Sequence, residues 1–425
     1  MDICEELDWR ASVQQTTDPD HLPQWLAAAS RTLYAGFDPT SDGLHVGNFV
    51  ALMMLRRFQK AGHRPIVLAG GATGMIGDPS GKNQERTLLS PEIIDHNLQS
   101  ISGELQQFLD FESSNGAILV NNYDWMKRWD YLSFLRDIGK HFPVNVMLAK
   151  ESVKTRLEQT DAGMSYTEFS YMLLQAYDFV HLHKEFGCEL QVGGSDQWGN
   201  ITAGIELGRR LGTSPLYGIT CPLLTRSDGA KMGKTEQGTI WLSPQKTSPY
   251  AFYQYWYNVD DDVVGRCLRL LTEMEREDIL ALDEDRQVDP GSRNSQRRLA
   301  ETITEFVHGK DGLSKACRAS EVLFGAEVSA LSDQELAEIF SDVPSETVDR
   351  GELSGDGLDI LEAFCRAGLA KSKSEARRCI SQGGAYVNNH RVEDVEARLS
   401  TNDLASESVM VLRSGKKRYA LLMFP

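Results

Sequence analysis

Short apolar runs alternate with longer, helix-like stretches over about the first 225 residues of the chain. Thr32 to Phe37 is an apolar run that ends in Asp38-Pro39, and Phe49 to Lys60 then follows with helical spacing. Pro65 to Gly71 is a second buried-strand pattern, closed by glycines. Such alternation predicts a parallel, doubly wound α/β sheet, in which ligands bind beyond the carboxyl ends of the strands.

The later sequence divides into regions of different composition. From Ser248 to Phe324 glycine is sparse and helix-forming residues dominate, whereas 325–355 is polar and acidic and ends near Ser-Gly-Asp-Gly. We predict five regions: a Rossmann-like domain over 1–225, a mobile lysine loop with its connection over 226–247, an α-helical domain over 248–324, a linker over 325–355 and a small α+β domain over 356–425.

Composition narrows the class of protein. A chain of 425 residues is too long for one ordinary domain, and 41% hydrophobic with 25% charged residues is typical of a globular protein. No apolar run approaches the roughly 20 residues that span a bilayer. Four of the first eight residues are acidic and none is basic, so we expect no secretory or transit peptide. Seven scattered cysteines without a CxxC pair argue against disulfides or structural zinc and favour the cytoplasm.

The net charge of −17 is unevenly distributed. Residues 356–425 contain eleven Lys or Arg and nine Asp or Glu, a balance of +2, so the rest of the chain carries −19. This distribution fits local, selective contact between the C-terminal end and RNA better than general polyanion binding.

The first candidate site follows the first predicted strand. His45 and Asn48 lie three residues apart at the start of a helix, where free backbone amides and the helix dipole favour an anion. Gly47 between them lets a bulky group approach the backbone. Taken alone, the segment is equally consistent with an ordinary helix entry capped by these two side chains.

The second candidate site is the loop that contains 231–235, with glycines at 229, 233 and 238. Lys231 and Lys234 would form a mobile, doubly cationic arm that neutralises charge on a transferring phosphoryl group. The Walker spacing is absent around this loop. By itself the loop is more typical of a solvated basic surface.

Together the two segments resemble the two signatures of class I aminoacyl-tRNA synthetases. They read His45-Val46-Gly47-Asn48 and, about 185 residues later, Lys231-Met232-Gly233-Lys234-Thr235. Asn48 stands where a second histidine is commoner, and glycine and threonine replace two serines of the lysine signature. Because an amide still donates to ribose or phosphate, we expect altered contacts rather than lost activity.

Further segments resemble bacterial tyrosyl-tRNA synthetases, and the likeness runs essentially from end to end. Gly-Gly-Ser-Asp-Gln-Trp-Gly-Asn, residues 193–200, is its most specific part. The other segments are Tyr34 to Asp38, Gly74 to Pro79 and Tyr171 to Asp178. The resemblance implies the class I fold and the activation of tyrosine for transfer to tRNA.

The resemblance also implies a tyrosine pocket. Tyr171, Gln175 and Asp178 share one face of a predicted helix, a pattern that without context indicates a solvated side. In the family, the residues matching Asp178 and Tyr34 bind the phenolic hydroxyl, and those matching Tyr171, Gln175 and Asp78 hold the ammonium group. The remaining implied residues are Gly36 and Gln197, the latter at the tyrosine carboxylate.

For ATP the resemblance implies a longer set of contacts. These are Asp38, Thr40, His45, Gly47, Asn48, Gly193, Asp196, Lys231, Lys234 and Thr235. Lys82 and Arg86, which are also consistent with surface cations, would join Thr40, His45, Asn48 and the two lysines as catalytic groups. We expect ATP to bring Mg²⁺, with no dedicated metal site and no permanently bound cofactor.

The implied reaction is in-line attack of the tyrosine carboxylate on the α-phosphorus, followed by transfer of the tyrosyl group to the 3′ end of tRNA(Tyr). No protein nucleophile is required, so catalysis would rest on positioning and charge stabilisation. Two rivals remain open at this point. One is a tryptophan-specific relative, and the other is a non-catalytic RNA-binding protein descended from a synthetase.

The C-terminal region resembles an RNA-binding module of a small-subunit ribosomal protein. Its candidate RNA contacts are Lys371, Lys373, Arg377 and Arg378, although a solvated basic helix is the plain alternative. By family analogy we expect a homodimer that binds tRNA(Tyr) across both subunits. Residues 129–147 are apolar and aromatic enough for the interface, but they are equally consistent with core.

Overall fold

The computed structural model describes residues 2–80, 89–150, 153–154, 156–157, 163–235, 238–323, 328, 331–340, 343–415 and 418–425. Contacts divide the chain into two compact units. The first comprises Met1–Thr247 and Tyr255–Ile303, and the second comprises Ser248–Gln254 and Thr304–Pro425.

The first unit is built on a six-stranded sheet in the order β1-β6-β5-β2-β3-β4. All neighbouring strands are parallel except β1, which runs antiparallel to β6. The strands are β1 (Gln15–Thr16), β2 (Thr32–Phe37), β3 (Arg64–Ala69), β4 (Ile118–Asn121), β5 (Cys188–Gly194) and β6 (Tyr217–Cys221), and a separate hairpin pairs β7 (Lys234–Thr235) with β8 (Gly238–Thr239).

Helices follow the strands and continue toward the C-terminus. They are α1 (Ile3–Trp9), α2 (Leu22–Ala28), α3 (Val46–Lys60), α4 (Thr73–Ile76), α5 (Pro91–Leu105), α6 (Tyr123–Met126), α7 (Tyr131–Asp137), α8 (Val144–Leu148), α9 (Tyr166–Phe186), α10 (Trp198–Arg210), α11 (Pro249–Tyr257), α12 (Asp261–Leu271), α13 (Arg276–Val288) and α14 (Asn294–Leu323). Within the described ranges, none of them combines the length and apolar character that crossing a bilayer requires.

The sheet is doubly wound, which confirms the predicted fold class. The chain passes from β2 to β3 and β4 on one side and from β5 to β6 on the other, so the order reverses between β2 and β5. β2 reads as an apolar run because both faces of a central parallel strand are covered. Helix α3 begins at Val46 rather than at the predicted Phe49, because His45 occupies the N-cap position. The carboxyl ends of β2 and β5 therefore define the expected ligand crevice.

Two arginines tie α3 and α1 to the C-terminal end of α12. Arg57 Nη2 donates to the carbonyls of Arg269 and Leu270, at 3.0 and 2.8 Å. Arg10 Nη2 donates to the carbonyl of Met274 at 2.7 Å. Desolvation, with the nearby Arg10 charge, lowers the pKa of Arg57 to about 9. Because helix C-termini carry unpaired carbonyls and a negative dipole end, these buried cations bind the C-terminal ends of α1 and α3 to the end of α12.

The second unit contains a five-stranded sheet in the order β12-β11-β14-β15-β9. Its strands are β9 (Ser345–Thr347), β11 (Ala385–Val387), β12 (His390–Arg391), β14 (Val409–Ser414) and β15 (Arg418–Met423), and β10 (Leu358–Asp359) pairs separately with β13 (Arg398–Leu399). The helices are α15 (Asp333–Ile339), α16 (Ile360–Arg366) and α17 (Lys373–Ser381). Phe364, Ile380 and Leu412 lie in one buried core of this unit.

The segment 325–355, predicted as a linker, differs in the structure. Strand β9 pairs in parallel with β15 and so completes the edge of the sheet. Leu336 and Phe340, from α15 and its end, are buried in a cluster with Leu421. The described part of this segment is thus packed as part of the second unit rather than extended between domains.

Candidate active site

A cavity of about 340 Å³ opens at the point where the strand order of the first unit reverses. Tyr34 on β2 and Gln191 on β5 are register partners in the sheet and both line it. Helix α9 contributes one face to the wall, and the lysine loop contributes Lys231. The cavity therefore joins a deep, buried end to an outer end bearing a cation.

The deep end contains a carboxylate and a phenol. Asp178 and Tyr34 are each 1% exposed. Asp178 accepts hydrogen bonds from Asn122 Nδ2 at 3.0 Å and from Trp125 Nε1 at 2.8 Å. Among the described residues, the Tyr34 hydroxyl has no hydrogen-bond partner. A buried polar group without a partner is costly, so this end of the cavity is suited to a ligand that carries a hydroxyl.

Burial also changes the acidity of both groups. Desolvation raises the pKa of Asp178 to about 7, against the lowering effect of the hydrogen bonds from Asn122 and Trp125. Desolvation, with the adjacent Asp178 charge, raises the pKa of Tyr34 well above its usual value. A neutral ligand hydroxyl therefore meets a phenol that stays protonated and a carboxyl that titrates near neutrality.

The Asp178 shift makes stability depend on pH. The folded chain keeps this proton up to about pH 7, whereas the unfolded chain releases it near pH 3.8. The stabilisation from protonation is therefore complete below about pH 4 and is lost as pH rises to about 7, by up to about 4 kcal/mol.

In urea denaturation without ligand, we expect Asp178→Ala to gain stability relative to the unsubstituted protein between pH 5 and pH 8. Asp124→Ala, an exposed carboxylate, is the control; a relative stability of the Asp178 variant that does not change with pH would contradict the expectation.

A polar network lines the middle of the cavity. Gln197 Nε2 donates to Asp78 Oδ2 at 2.7 Å, and Gln175 Nε2 donates to Gln197 Oε1 at 3.2 Å. The Tyr171 hydroxyl donates to Asp38 Oδ2 at 2.8 Å. These residues come from the position just after β2, from α9, from the turn after α4 and from the short 3-10 helix Ser195–Gln197. Carboxylate oxygens and side-chain amides gathered in this way can bind an ammonium group and orient a carboxylate.

The outer end begins at the first turn of α3. Asn48 Oδ1 accepts from the His45 backbone amide at 3.0 Å, so this asparagine also stabilises the helix start. A Cβ placed on Gly47 would lie 2.8 Å from His45 Cε1. The bulky group that approaches this glycine in the structure is therefore the ring of His45, and the glycine lets the imidazole lie against the helix.

The lysine loop is tied to the same helix through its backbone. Val46 N donates to Ile240 O at 3.1 Å, and Leu242 N donates to Leu44 O at 2.8 Å. Lys231 Nζ lies 3.3 Å from Asp196 Oδ2 and the lysine side chain is half exposed. Gly233 has a φ of 88°, in the region that favours glycine, which explains glycine at this signature position in the described conformation.

Most of the predicted site residues lie on this one cavity. Those lining it are Tyr34, Gly36, Asp38, Thr40, His45, Gly47, Asn48, Asp78, Tyr171, Gln175, Asp178, Gly193, Asp196, Gln197 and Lys231. Lys82 and Arg86 lie outside the described residues, and Lys234 and Thr235 are described only as backbone of β7. The predicted helical face of Tyr171, Gln175 and Asp178 thus turns toward the cavity and not toward solvent.

Several polar residues of the site were missed by the sequence analysis. Asn122 and Trp125 hold the Asp178 carboxylate, and Asn122 also donates to Thr73 Oγ1 at 3.0 Å. Thr73 in turn donates to Asp38 at 2.7 Å. Asn122 directly follows β4, so the rule that ligands gather beyond strand ends could have indicated it. Trp125 had no such signal, because its role depends on tertiary contact alone.

The candidate RNA contacts lie in the second unit, on and just before α17. Ser372 caps this helix by accepting from Glu375 N at 3.3 Å. Lys373 pairs with Asp359 at 3.1 Å and Arg377 with Glu396 at 3.2 Å. Lys371 and Arg378 are exposed as well. The helix therefore presents cations to solvent, two of which already have acidic neighbours.

Comparison with known families agrees with this arrangement. Residues 28–325 match the family described as tRNA synthetases class I (W and Y). Residues 335–422 match the tyrosine–tRNA ligase SYY-like C-terminal domain. The chain therefore belongs to the class I tRNA synthetases, in the family of the tryptophan and tyrosine enzymes.

Individual relatives indicate to which of the two kinds of enzyme in this family the chain is similar. A protein of Rhodopirellula baltica named tyrosine–tRNA ligase is 57% identical over 420 residues, covering 99% of this chain and 96% of its own. One of the same name from Roseiflexus castenholzii is 50% identical over 421 residues, covering 99% of each chain. The solved C-terminally truncated mitochondrial tyrosyl-tRNA synthetase of Aspergillus nidulans matches 76% of this chain and 94% of its own, with a TM-score of 0.68 and 31% identity. Within the family, the chain falls among the tyrosine–tRNA ligases.

Proposed function

We propose that the cavity at the β2/β5 junction activates L-tyrosine with ATP and that the chain then transfers the tyrosyl group to the 3′ end of tRNA(Tyr). One observation carries the proposal. A buried end with Asp178 and the Tyr34 hydroxyl, which has no hydrogen-bond partner in the part of the chain that the structure describes, is continuous within one cavity with an outer end formed by His45 and Lys231. A phenol fits the buried end, and a nucleoside triphosphate fits the outer end.

In this proposal tyrosine enters with its hydroxyl between Asp178 and Tyr34. Its ammonium group lies against Asp78, Tyr171 and Gln175. This set is supported by the hydrogen bonds that link Asp78 and Gln175 through Gln197, and by the position of Tyr171 on the same cavity. Gln197 orients the carboxylate toward the outer end. This placement aims the attacking oxygen at the α-phosphorus of ATP, which is the positional contribution to catalysis.

The outer end carries the charge stabilisation. His45 and Asn48 hold the nucleotide at the start of α3, with Gly193 and Asp196 at the ribose and Thr40 near the terminal phosphates. As pyrophosphate leaves, Lys231 can exchange its contact with Asp196 for the phosphate oxygens, because its side chain is half exposed beside the cavity. Mg²⁺ would be held mainly by phosphate oxygens and water and would neutralise their charge. Lys82, Arg86, Lys234 and Thr235 remain proposed partners in this step.

The reaction is tested by exchange of labelled pyrophosphate into ATP. We expect exchange to require tyrosine, with tryptophan and phenylalanine giving background rates, and the full chain to charge tRNA(Tyr). Exchange driven by tryptophan would favour the tryptophan-specific relative instead. Exchange at background with every amino acid would favour the non-catalytic RNA-binding protein.

The remaining partners follow from the same proposal. The helices over 248–324 and the cations Lys371, Lys373, Arg377 and Arg378 are proposed to contact tRNA(Tyr), supported by the exposure of α17. Action in the cytoplasm is supported by the seven cysteines, all of which are free thiols.

We further propose a homodimer formed through the face of α7, α8 and the start of α9. Unusually exposed apolar side chains support this interface: Tyr131 at 64%, Leu132 at 74%, Val144 at 60%, Val146 at 48%, Leu148 at 44% and Tyr166 at 58%. Interaction with Tyr131 raises the pKa of Tyr166, so the starts of α7 and α9 lie close together at this surface. Apolar exposure on this scale marks an association surface more often than a free one.

The interface is tested by placing a charge in it. We expect Leu132→Asp to convert a dimer to a monomer in sedimentation equilibrium, because an uncompensated carboxylate would be buried against the partner. Val288→Asp, at an apolar position on α13 that is 86% exposed, is the matched control and should stay dimeric. A Leu132 variant that sediments as a dimer at micromolar concentration would refute this interface.

A further inference from the structure

His181 and Trp125 form a stacked pair beside the deep end of the cavity. Their ring centroids are 4.3 Å apart and their planes differ by 24°. His181 lies on α9, three residues after Asp178, and therefore on the same face of that helix. The sequence analysis assigned no role to either ring.

The stack connects His181 to the carboxylate that would meet the substrate hydroxyl. Trp125 donates its indole N–H to Asp178 Oδ1 at 2.8 Å, and it lies on the four-residue helix α6. So short a helix has little hydrogen bonding of its own to fix the indole. The direction of the N–H then depends on what packs against the faces of the ring.

A second cavity, of about 510 Å³, borders both rings. Its lining mixes charged and apolar side chains, among them Asp124, Arg128, Glu185 and Phe186. Empty space offers no contacts that would hold a side chain in place. If the imidazole of His181 were removed, this side of the indole would face the cavity, which offers no contact in its place.

We propose that His181 is a positioning residue for recognition of the tyrosine hydroxyl, acting by holding the Trp125 indole so that its N–H stays on Asp178. The inference rests on the proposed function and deepens it. A correctly directed indole N–H leaves the other lone pairs of the carboxylate facing the ligand. A tilted indole withdraws that donor and lets Asp178 turn away from the substrate position.

The test compares His181→Ala with His181→Phe, which keeps a flat ring without the imidazole nitrogens. We expect the alanine variant to raise the KM for tyrosine in pyrophosphate exchange by about three- to tenfold, the range expected for losing one aromatic contact. Its kcat and its KM for ATP should stay within about twofold of the original. Its preference for tyrosine over phenylalanine should fall by about three- to tenfold, in step with the tyrosine KM. His181→Phe should restore both values. Lys184→Ala, an exposed residue on the same helix away from the second cavity, is the control.

Each outcome decides the inference. An alanine variant with unchanged tyrosine KM and selectivity overturns it, and so does a phenylalanine variant as impaired as the alanine one, because stacking would then not be the cause. If the alanine variant does not fold, His181→Leu replaces it with the same expectations. Failure of the unsubstituted protein to show tyrosine-dependent exchange would count against the proposed function instead, so the two failures are distinguishable.

Discussion

Replacing Asp178 with alanine should abolish most selection for tyrosine while leaving ATP binding intact. Among the described residues, the buried carboxylate accepts hydrogen bonds from Asn122 and Trp125 alone, so its loss strands these donors and removes the acceptor for the substrate hydroxyl. Tyrosyl-tRNA synthetases are themselves the standard illustration of such a site, with a known family discrimination against phenylalanine of about 10⁵. We expect that ratio, measured as kcat/KM in pyrophosphate exchange, to fall by at least about 10³, with the KM for ATP changed less than about threefold.

Asp178→Asn separates the charge of this group from its size. Both neighbours donate to the carboxylate, so an amide would have to point its own N–H group at one of two donors. The asparagine variant should therefore also lose selectivity. Retention of the tyrosine preference in both variants would remove Asp178 from the recognition of the hydroxyl.

Replacing Lys231 should reduce the rate of adenylate formation and spare tyrosine binding. Lys231 lines the outer end of the cavity and is far less enclosed than Asp178, in keeping with a cation that engages phosphates as they separate. Loss of one such stabilising group typically costs about 10²–10³ in kcat. We expect Lys231→Ala to show that loss at saturating substrates, with an unchanged Kd for tyrosine in equilibrium dialysis.

The same loop offers a matched control. Arg226 is exposed, pairs with Asp228 and does not line the cavity. Arg226→Ala should keep its exchange rate, and Lys231→Arg should recover part of the loss because it restores the charge without the same shape. Weaker tyrosine binding by Lys231→Ala, with kcat unchanged, would contradict the assigned role.

The sequence predicted the fold class and most of the cavity because the signals there are local. The apolar run of β2, the polar turn that follows it and the helical spacing of Tyr171, Gln175 and Asp178 can be recognised from adjacent residues alone. Strand ends then meet at one edge of the sheet by topology, which brings His45 and Gly193 onto the same cavity.

Features that depend on distant partners could not be predicted in this way. Trp125 looks like any tryptophan until the fold brings it to Asp178. Strand β9, Ser345–Thr347, is polar and exposed at every position, and it is a strand only because it pairs with β15. Edge strands with no apolar face carry no periodic signal, so this segment resembled a linker.

The backbone contacts between Val46 and Ile240 have a consequence for how the lysine loop can move. Anchored there and where Met232 N donates to Leu224 O, the segment has two fixed points on the body of the first unit. These bonds limit how far the described strands of the β7/β8 hairpin can move away from the start of α3. The two signatures are distant along the chain but are linked by backbone hydrogen bonds. A substitution that shifts the backbone of one signature therefore also shifts the geometry of the other.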